Sequence, residues 1–233
     1  LTGTKVAAMA LVDGQACLTL ENEKGAQELC CDRVLVAVGV QANIEGLGLE
    51  EMGIDLDRGF VSVDQQMCTS SPGVYAVGDM TGKVLLAHVA SAQGVLVAET
   101  IAGHDSPPLD YQMMPSAVYC HPQVASWGLT EAQARQAGHQ VKIGKFPFSA
   151  NGKALALGNS RGFAKLVADE TYGEILGVHL VGPEVTELLG ELSLGKSLEG
   201  TINEVGRLVH AHPTISEVLK EAALDAQGEA IHI

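Results

Sequence analysis

Pro213 leaves its neighbours little conformational freedom. It stands in the run His210-Ala211-His212-Pro213-Thr214-Ile215-Ser216-Glu217. A proline fixes its own φ, offers no N–H, and drives the residue before it into an extended conformation. The chain therefore reaches Thr214 extended. Thr214 is a good N-cap, and the apolar spacing of Ile215, Val218 and Leu219 predicts a helix opening there. His212 then lies on the entering segment and Glu217 on the first helical turn. Two chemistries fit that placement. In a capping box, Glu217 returns to the Thr214 backbone N–H. In an ion pair, Glu217 instead reaches a ring nitrogen of His212, fixes its tautomer and raises the basicity of the other nitrogen, which suits a general acid/base near neutral pH. The spacing alone leaves both open.

Composition narrows the class. A length of 233 residues holds one large domain or two smaller ones. Hydrophobic residues at 46% with aromatics at only 4% point to an Ala/Val/Leu/Gly-rich α/β protein. A net charge of −14 argues against nucleic acid, because phosphate binding needs clustered cations. Cys17, Cys30, Cys31, Cys68 and Cys120 form no metal pattern. A bond between adjacent Cys30 and Cys31 would be strained, so buried, reduced thiols are expected. No apolar run has the length of a membrane span, and no signal peptide is visible. The opening Leu1-Thr2-Gly3-Thr4-Lys5-Val6 lacks Met and reads as mid-domain sequence, so a fragment is expected.

Hydrophobic patterning predicts strands at Lys5–Val12, Ala16–Glu21 and Arg33–Gly39, with turns at Asp13-Gly14 and Asn22–Gly25. The unbroken apolar run Val34–Val38 suits a strand buried on both faces of a parallel sheet. Residues 41–72 read as irregular, and Val74–Val77 as a second buried strand. A helix follows Leu85-Leu86-Ala87-His88 to about Ala102, then a linker, Gly103–Asp110. The last 120 or so residues predict strands at Ser116–Tyr119, Val141–Pro147, Ala164–Ala168 and Glu174–Val181. Helices are expected at Glu131–Ala137 behind a Thr130 cap, at Pro183–Gly195 and at Ile202–Val209. Strands with helices on one side make this part α+β.

Further candidate positions sit at the ends of these elements. Gly78 and Asp79 follow the Val74–Val77 strand, where ligands bind in the crevice that strand ends create, although an ordinary Gly-Asp turn is the competing reading. Leu86, Ala87 and His88 lie at a helix start, whose unpaired N–H groups stabilise negative charge. His88 by itself reads as a structural histidine. Neither a GxGxxG fingerprint nor a CxxxxC pair occurs anywhere in the sequence.

The stretch HAHPTISEVLKEAAL resembles the C-terminal signature of the dihydrolipoamide dehydrogenases, a branch of the flavin- and pyridine-nucleotide-dependent disulfide oxidoreductases. Pro115–Pro122 is similar to that family's opening of the interface domain, and Gly177–Pro183 to its central strand and turn. The resemblance implies α/β end segments of Rossmann-like domains followed by an α+β dimerisation domain. It implies residues 1–40 as the tail of the NAD-binding domain, 41–112 as the returning segment of the FAD-binding domain, and 113–233 as the dimerisation domain. His212 would be the acid/base and Glu217 the residue that orients it, serving the disulfide and flavin of the other subunit. Asp79, with Gly78, would bind FAD, and Leu86, Ala87 and His88 would lie by its ring. Gly39 and Val6 would line the NAD site, although the chain reads Gly39-Val40-Gln41-Ala42-Asn43 where many relatives continue Gly-Arg-x-Pro-Asn.

The implied activity is oxidation of dihydrolipoamide by NAD+ through FAD and a redox disulfide. The implied partners are a second copy in a homodimer, and the lipoyl domains and core acyltransferase of a 2-oxo acid dehydrogenase complex or the glycine cleavage lipoyl protein. No nucleic acid or membrane partner is implied. The compartment would be the cytoplasm, or the mitochondrial matrix in a eukaryote. This chain would supply the acid/base half of the site and be inactive alone. The alternatives are a non-catalytic dimerisation module and a related reductase of another low-molecular-weight disulfide.

Overall fold

The computed structural model describes residues 1–232. Strands β1 (Lys5–Val12), β2 (Gln15–Asn22) and β3 (Gly25–Cys31) form an antiparallel meander in that order. Asp13 and Gly14 make the first turn at φ of 49° and 84°, the left-handed pair that a two-residue hairpin loop requires. The second turn, Glu23-Lys24, is held by the Lys24 N–H donating to Asn22 Oδ1 at 2.8 Å. β3 departs from the expected pattern, because Gly25–Cys31 (GAQELCC) carries no regular apolar/polar alternation.

The strand expected at Arg33–Gly39 is absent. Val36 and Val38 are 76% and 93% exposed, and no strand pairs with this run. A buried parallel strand needs ladder partners on both sides and helices on both faces, and the chain provides neither here.

The next stretch holds a short hairpin of β4 (Leu56–Asp57) and β5 (Phe60–Val61), with a small core of Ile54, Val61 and Ala76. The strand expected at Val74–Val77 is an extended segment with one isolated bridge, Tyr75 to Cys68, again for want of a parallel neighbour. Helix α1 (Ala87–Ile101) forms as expected and buries Val89, Gln93 and Leu96, which share one face at helical spacing.

The C-terminal part is built on a five-stranded antiparallel sheet. Its strands are β6 (Ser116–Val118), β7 (Gln123–Gly128), β8 (Val141–Pro147), β9 (Phe163–Asp169) and β10 (Ile175–Gly182), in spatial order β6-β7-β10-β9-β8. Between them run α2 (Glu131–Gln136), capped by Thr130, and the single turn α3 (Gly152–Ala156). After them come α4 (Leu189–Ser197), α5 (Ile202–Arg207) and α6 (Glu217–Asp225). β7 and α3 were not anticipated. The helix expected from Pro183 begins only at Leu189, because Glu184 at φ 53° turns the chain first.

Alternation along the strands decides which helix covers which face. Ala164, Leu166 and Ala168 of β9, with Val178 and Leu180 of β10, share one buried core with residues of α4, α5 and α6. Lys165, on the opposite face, reaches Glu131 of α2 at 2.8 Å. The helices therefore occupy both faces, not one as expected.

Gly144 of β8 is the closest approach between sheet and helix. A Cβ there would overlap the Ala222 carbonyl oxygen of α6. The cysteines depart from expectation. Cys17 and Cys30, 13 residues apart, form a disulfide across β2 and β3, and Cys120 is exposed. The hairpin register brings Cys17 opposite Cys30, which spacing alone does not reveal.

Gly144→Ala is expected to destabilise the chain by at least about 2 kcal/mol through overpacking against the α6 backbone. A urea titration followed by circular dichroism checks this, and an unchanged midpoint would mean that β8 and α6 yield without cost.

Candidate active site

Val209–Ser216 is an irregular connection into α6 that bends at His212, Pro213 and Ile215, with a cis peptide bond between His212 and Pro213. The helix starts at Glu217, two residues later than a Thr214 cap predicts; the Thr214 hydroxyl donates to the Ala211 carbonyl at 2.7 Å, and no side chain caps the helix. The Thr214 carbonyl accepts from Asn151 Nδ2 at 3.0 Å, while Asn151 Oδ1 caps α3 at the Ala154 N–H. One buried side chain thus fastens the connection to the end of the sheet.

Both readings of Glu217 hold at once. Its Oε2 accepts the Thr214 N–H at 2.8 Å, and its Oε1 lies 2.9 Å from His212 Nδ1. The carboxylate is clamped by backbone and in turn clamps the ring. Partial burial by itself would raise the Glu217 carboxyl, but the Thr214 N–H and then His212 outweigh that and hold it below the ordinary carboxylate value. An ionised acceptor at Nδ1 keeps the proton there and leaves Nε2 as the basic nitrogen. The His212 side chain is 77% exposed, so a reactant can reach it.

A cleft of about 140 Å³ opens beside the pair, lined by Phe146, Asn151, His210, His212, Glu217 and Lys220. His210 is 5% exposed and its Nε2 meets Glu191 Oε1 of α4 at 2.9 Å. Glu191 raises the His210 pKa above the ordinary histidine value against the opposing effects of burial and of Lys220. One turn along α6 and lining the same cleft, buried Glu221 meets His232 Nδ1 at 2.8 Å. Sequence reasoning missed Glu191, Asn151 and Glu221, which long-range packing alone brings here.

The other candidate residues form separate groups. Gly78 is buried at φ 79°, and its N–H donates to Gln93 Oε1 at 2.6 Å. Asp79 follows, exposed, in the turn Gly78–Thr81 that contacts α1. Leu86 is the N-cap of α1 with no side chain capping it, and Ala87 and His88 make the exposed first turn. His88 Nε2 is bonded to the Pro115 carbonyl at 2.8 Å, tying α1 to the start of the five-stranded sheet. Gln93, a polar residue on the apolar face of α1, is the sequence signal for this cluster.

An acceptor for hydroxyls beside an open helix N-terminus fits one edge of a flavin nucleotide. The NAD residues do not assemble. Gly39 is exposed at φ 118° and Val6 is 55% exposed on β1.

Comparison with known proteins adds an independent line. Residues 114–223 match the family model described as pyridine nucleotide-disulphide oxidoreductase, dimerisation domain, and residues 1–94 match that described as pyridine nucleotide-disulphide oxidoreductase. The dihydrolipoyl dehydrogenase of Bacillus subtilis is 45% identical across 100% of this chain and 49% of its own length. That of Corynebacterium glutamicum is 50% identical across 88% of this chain and 45% of its own. The chain therefore spans about half the length of the curated relatives it matches. Among solved structures, LpdA from Mycobacterium tuberculosis superposes with a TM-score of 0.84 at 26% identity, over 94% of this chain and 48% of that one.

The His210–Glu191 pair has a testable pH signature. A histidine whose folded pKa is raised stabilises the fold fully below about pH 6.5, and that contribution disappears as pH climbs through the folded value. Denaturation midpoints of wild type and Glu191→Gln are therefore expected to differ most in mild acid and converge in alkali. A gap independent of pH would remove His210 from the account.

Proposed function

Because this chain belongs to the pyridine nucleotide-disulphide oxidoreductase family, we propose that it is the acid/base and dimer-forming half of a dihydrolipoyl dehydrogenase. The observation that carries this reading is the 2.9 Å bond from His212 Nδ1 to Glu217 Oε1, with the rest of the ring open to solvent. A thiolate, not a thiol, attacks a disulfide, so something must take the proton of the dihydrolipoyl thiol. On this reading His212 Nε2 takes it, and Glu217 stabilises the imidazolium that results. Asp79 and the first turn of α1 are the residues that would hold FAD, with Gly78 letting the backbone turn beneath it. Bound flavin would supply the electron path from dithiol to NAD+. For NAD this chain offers only Gly39 and Val6, and no step is assigned to them.

The same reading divides the chain at about residues 40 and 112, into the ends of two nucleotide-binding domains and an interface domain. Exposed Leu155, Leu157, Leu208 and Val209, the last at 88%, support a second copy as the occupant of the C-terminal surface. Lipoyl domains of a 2-oxo acid dehydrogenase complex, its core acyltransferase, or the glycine cleavage lipoyl protein are the partners that follow. No helix among the described residues is long and apolar enough to cross a membrane. The relatives named above are bacterial, so the cytoplasm is the compartment that fits.

In the full-length enzyme, His212→Gln is expected to lower kcat by roughly 10²–10⁴-fold with flavin content unchanged. Glu217→Gln should cost less, because the base remains but is poorly oriented. Stopped-flow turnover with dihydrolipoamide separates the two, and near-wild-type rates for His212→Gln would end the catalytic assignment. The 233-residue chain by itself should form dimers in light scattering and show no lipoamide-dependent NAD+ reduction, since it has neither glycine fingerprint nor a CxxxxC pair. A stable monomer would count against the interface, and turnover by this chain against the division of labour.

A further inference from the structure

A sulfur pair lies away from the His212–Glu217 site, on the β1-β2-β3 meander. We propose that Cys17 and Cys30 form a reversible thiol–disulfide site that exchanges with small cationic disulfides, independently of the His212–Glu217 pair. Register places the two as direct partners, Cα to Cα 4.0 Å apart. Alternation then decides where they face. Met9, Leu11, Leu18, Leu20 and Leu29 share one side of the meander, an apolar face suited to another layer. Cys17 and Cys30 share the other with Ala8, Ala10, Thr19 and Glu28, all exposed except Cys17.

The two sulfurs are not equivalent. Cys30 is exposed, whereas Cys17 is only 8% exposed. In the reduced protein, Cys30 sulfur is therefore the one a small disulfide meets. It attacks one sulfur of that disulfide, whose S–S bond breaks, and the other half departs as a thiol carrying the Cys30 proton. Cys17 sulfur then attacks the Cys30 sulfur of the mixed disulfide and releases the second small thiol with its own proton. The protein dithiol has lost two electrons and two protons, and the small disulfide has gained both. Glu28 Oε1 lies 3.5 Å from Cys30 Sγ, and the whole chain carries a charge of −14. That field attracts cationic disulfides and repels anionic ones.

The test uses the reduced 233-residue chain with cystamine, which is cationic, and glutathione disulfide, which is anionic, followed by alkylation and peptide mapping. Two of the five thiols should be lost and one cross-linked peptide pair, Cys17 to Cys30, should appear. Cystamine should act roughly 3–10-fold faster at low salt, with the advantage shrinking as salt screens the field. Cys17→Ser should stop at a single mixed disulfide on Cys30. If that variant misfolds, the wild-type map still decides. Five thiols remaining after exposure to either disulfide, or adducts confined to Cys31, Cys68 or Cys120, would overturn the site. Equal, salt-independent rates would overturn the cationic preference.

Discussion

The seat of α6 on β8 is the contact from which the rest of the candidate site follows. The Ala222 carbonyl occupies the space that any side chain at position 144 would need, so only glycine lets the helix backbone come this close. Val218, Leu219, Ala222 and Ala223 are fully buried as a result, each small or slim enough for a helix lying tight on a sheet. Glu217 is the first residue of that helix. Its position is set by packing one to two turns away, not by its own hydrogen bonds.

That seating explains how one carboxylate can serve two donors without being floppy in either role. The Thr214 N–H takes one oxygen and the His212 ring the other. A charge-assisted bond of each kind is stronger than a neutral one, and both favour the ionised carboxyl. Asn151 adds a third fastening by holding the Thr214 carbonyl from the other side of the connection. His212 is thus exposed yet oriented, a combination that suits proton transfer to something arriving from outside.

The surroundings carry a similar logic one step further out. His210 and Glu191 join the connection to α4, and Glu221 with His232 joins α6 to the chain end. Each is a histidine–carboxylate contact in which the acid comes from a helix and the base from irregular chain. Glu217 and Glu221 each also accept a backbone N–H from the segment that carries the histidine, Thr214 for the first and Ile231 for the second.

Much of this was legible in the residues themselves. Turn chemistry at Asp13-Gly14, the Thr130 cap, the α1 face and the strands at Val141–Pro147 and Ile175–Gly182 are local, and local physics sets them. The five-residue interval from His212 to Glu217 likewise showed that the two could meet. Other features depend on what lies opposite. Val34–Val38 has the pattern of a buried strand but no partner to pair with, and stays exposed. Cys17 meets Cys30 only through hairpin register, and His210 finds Glu191 only when α4 packs beside the connection. The sequence by itself determined turns, caps and helix faces and the chemical groups they present. Tertiary structure alone decided which of those groups are neighbours, because a strand ladder, a helix seat and a buried ion pair all need a second surface that no single segment contains.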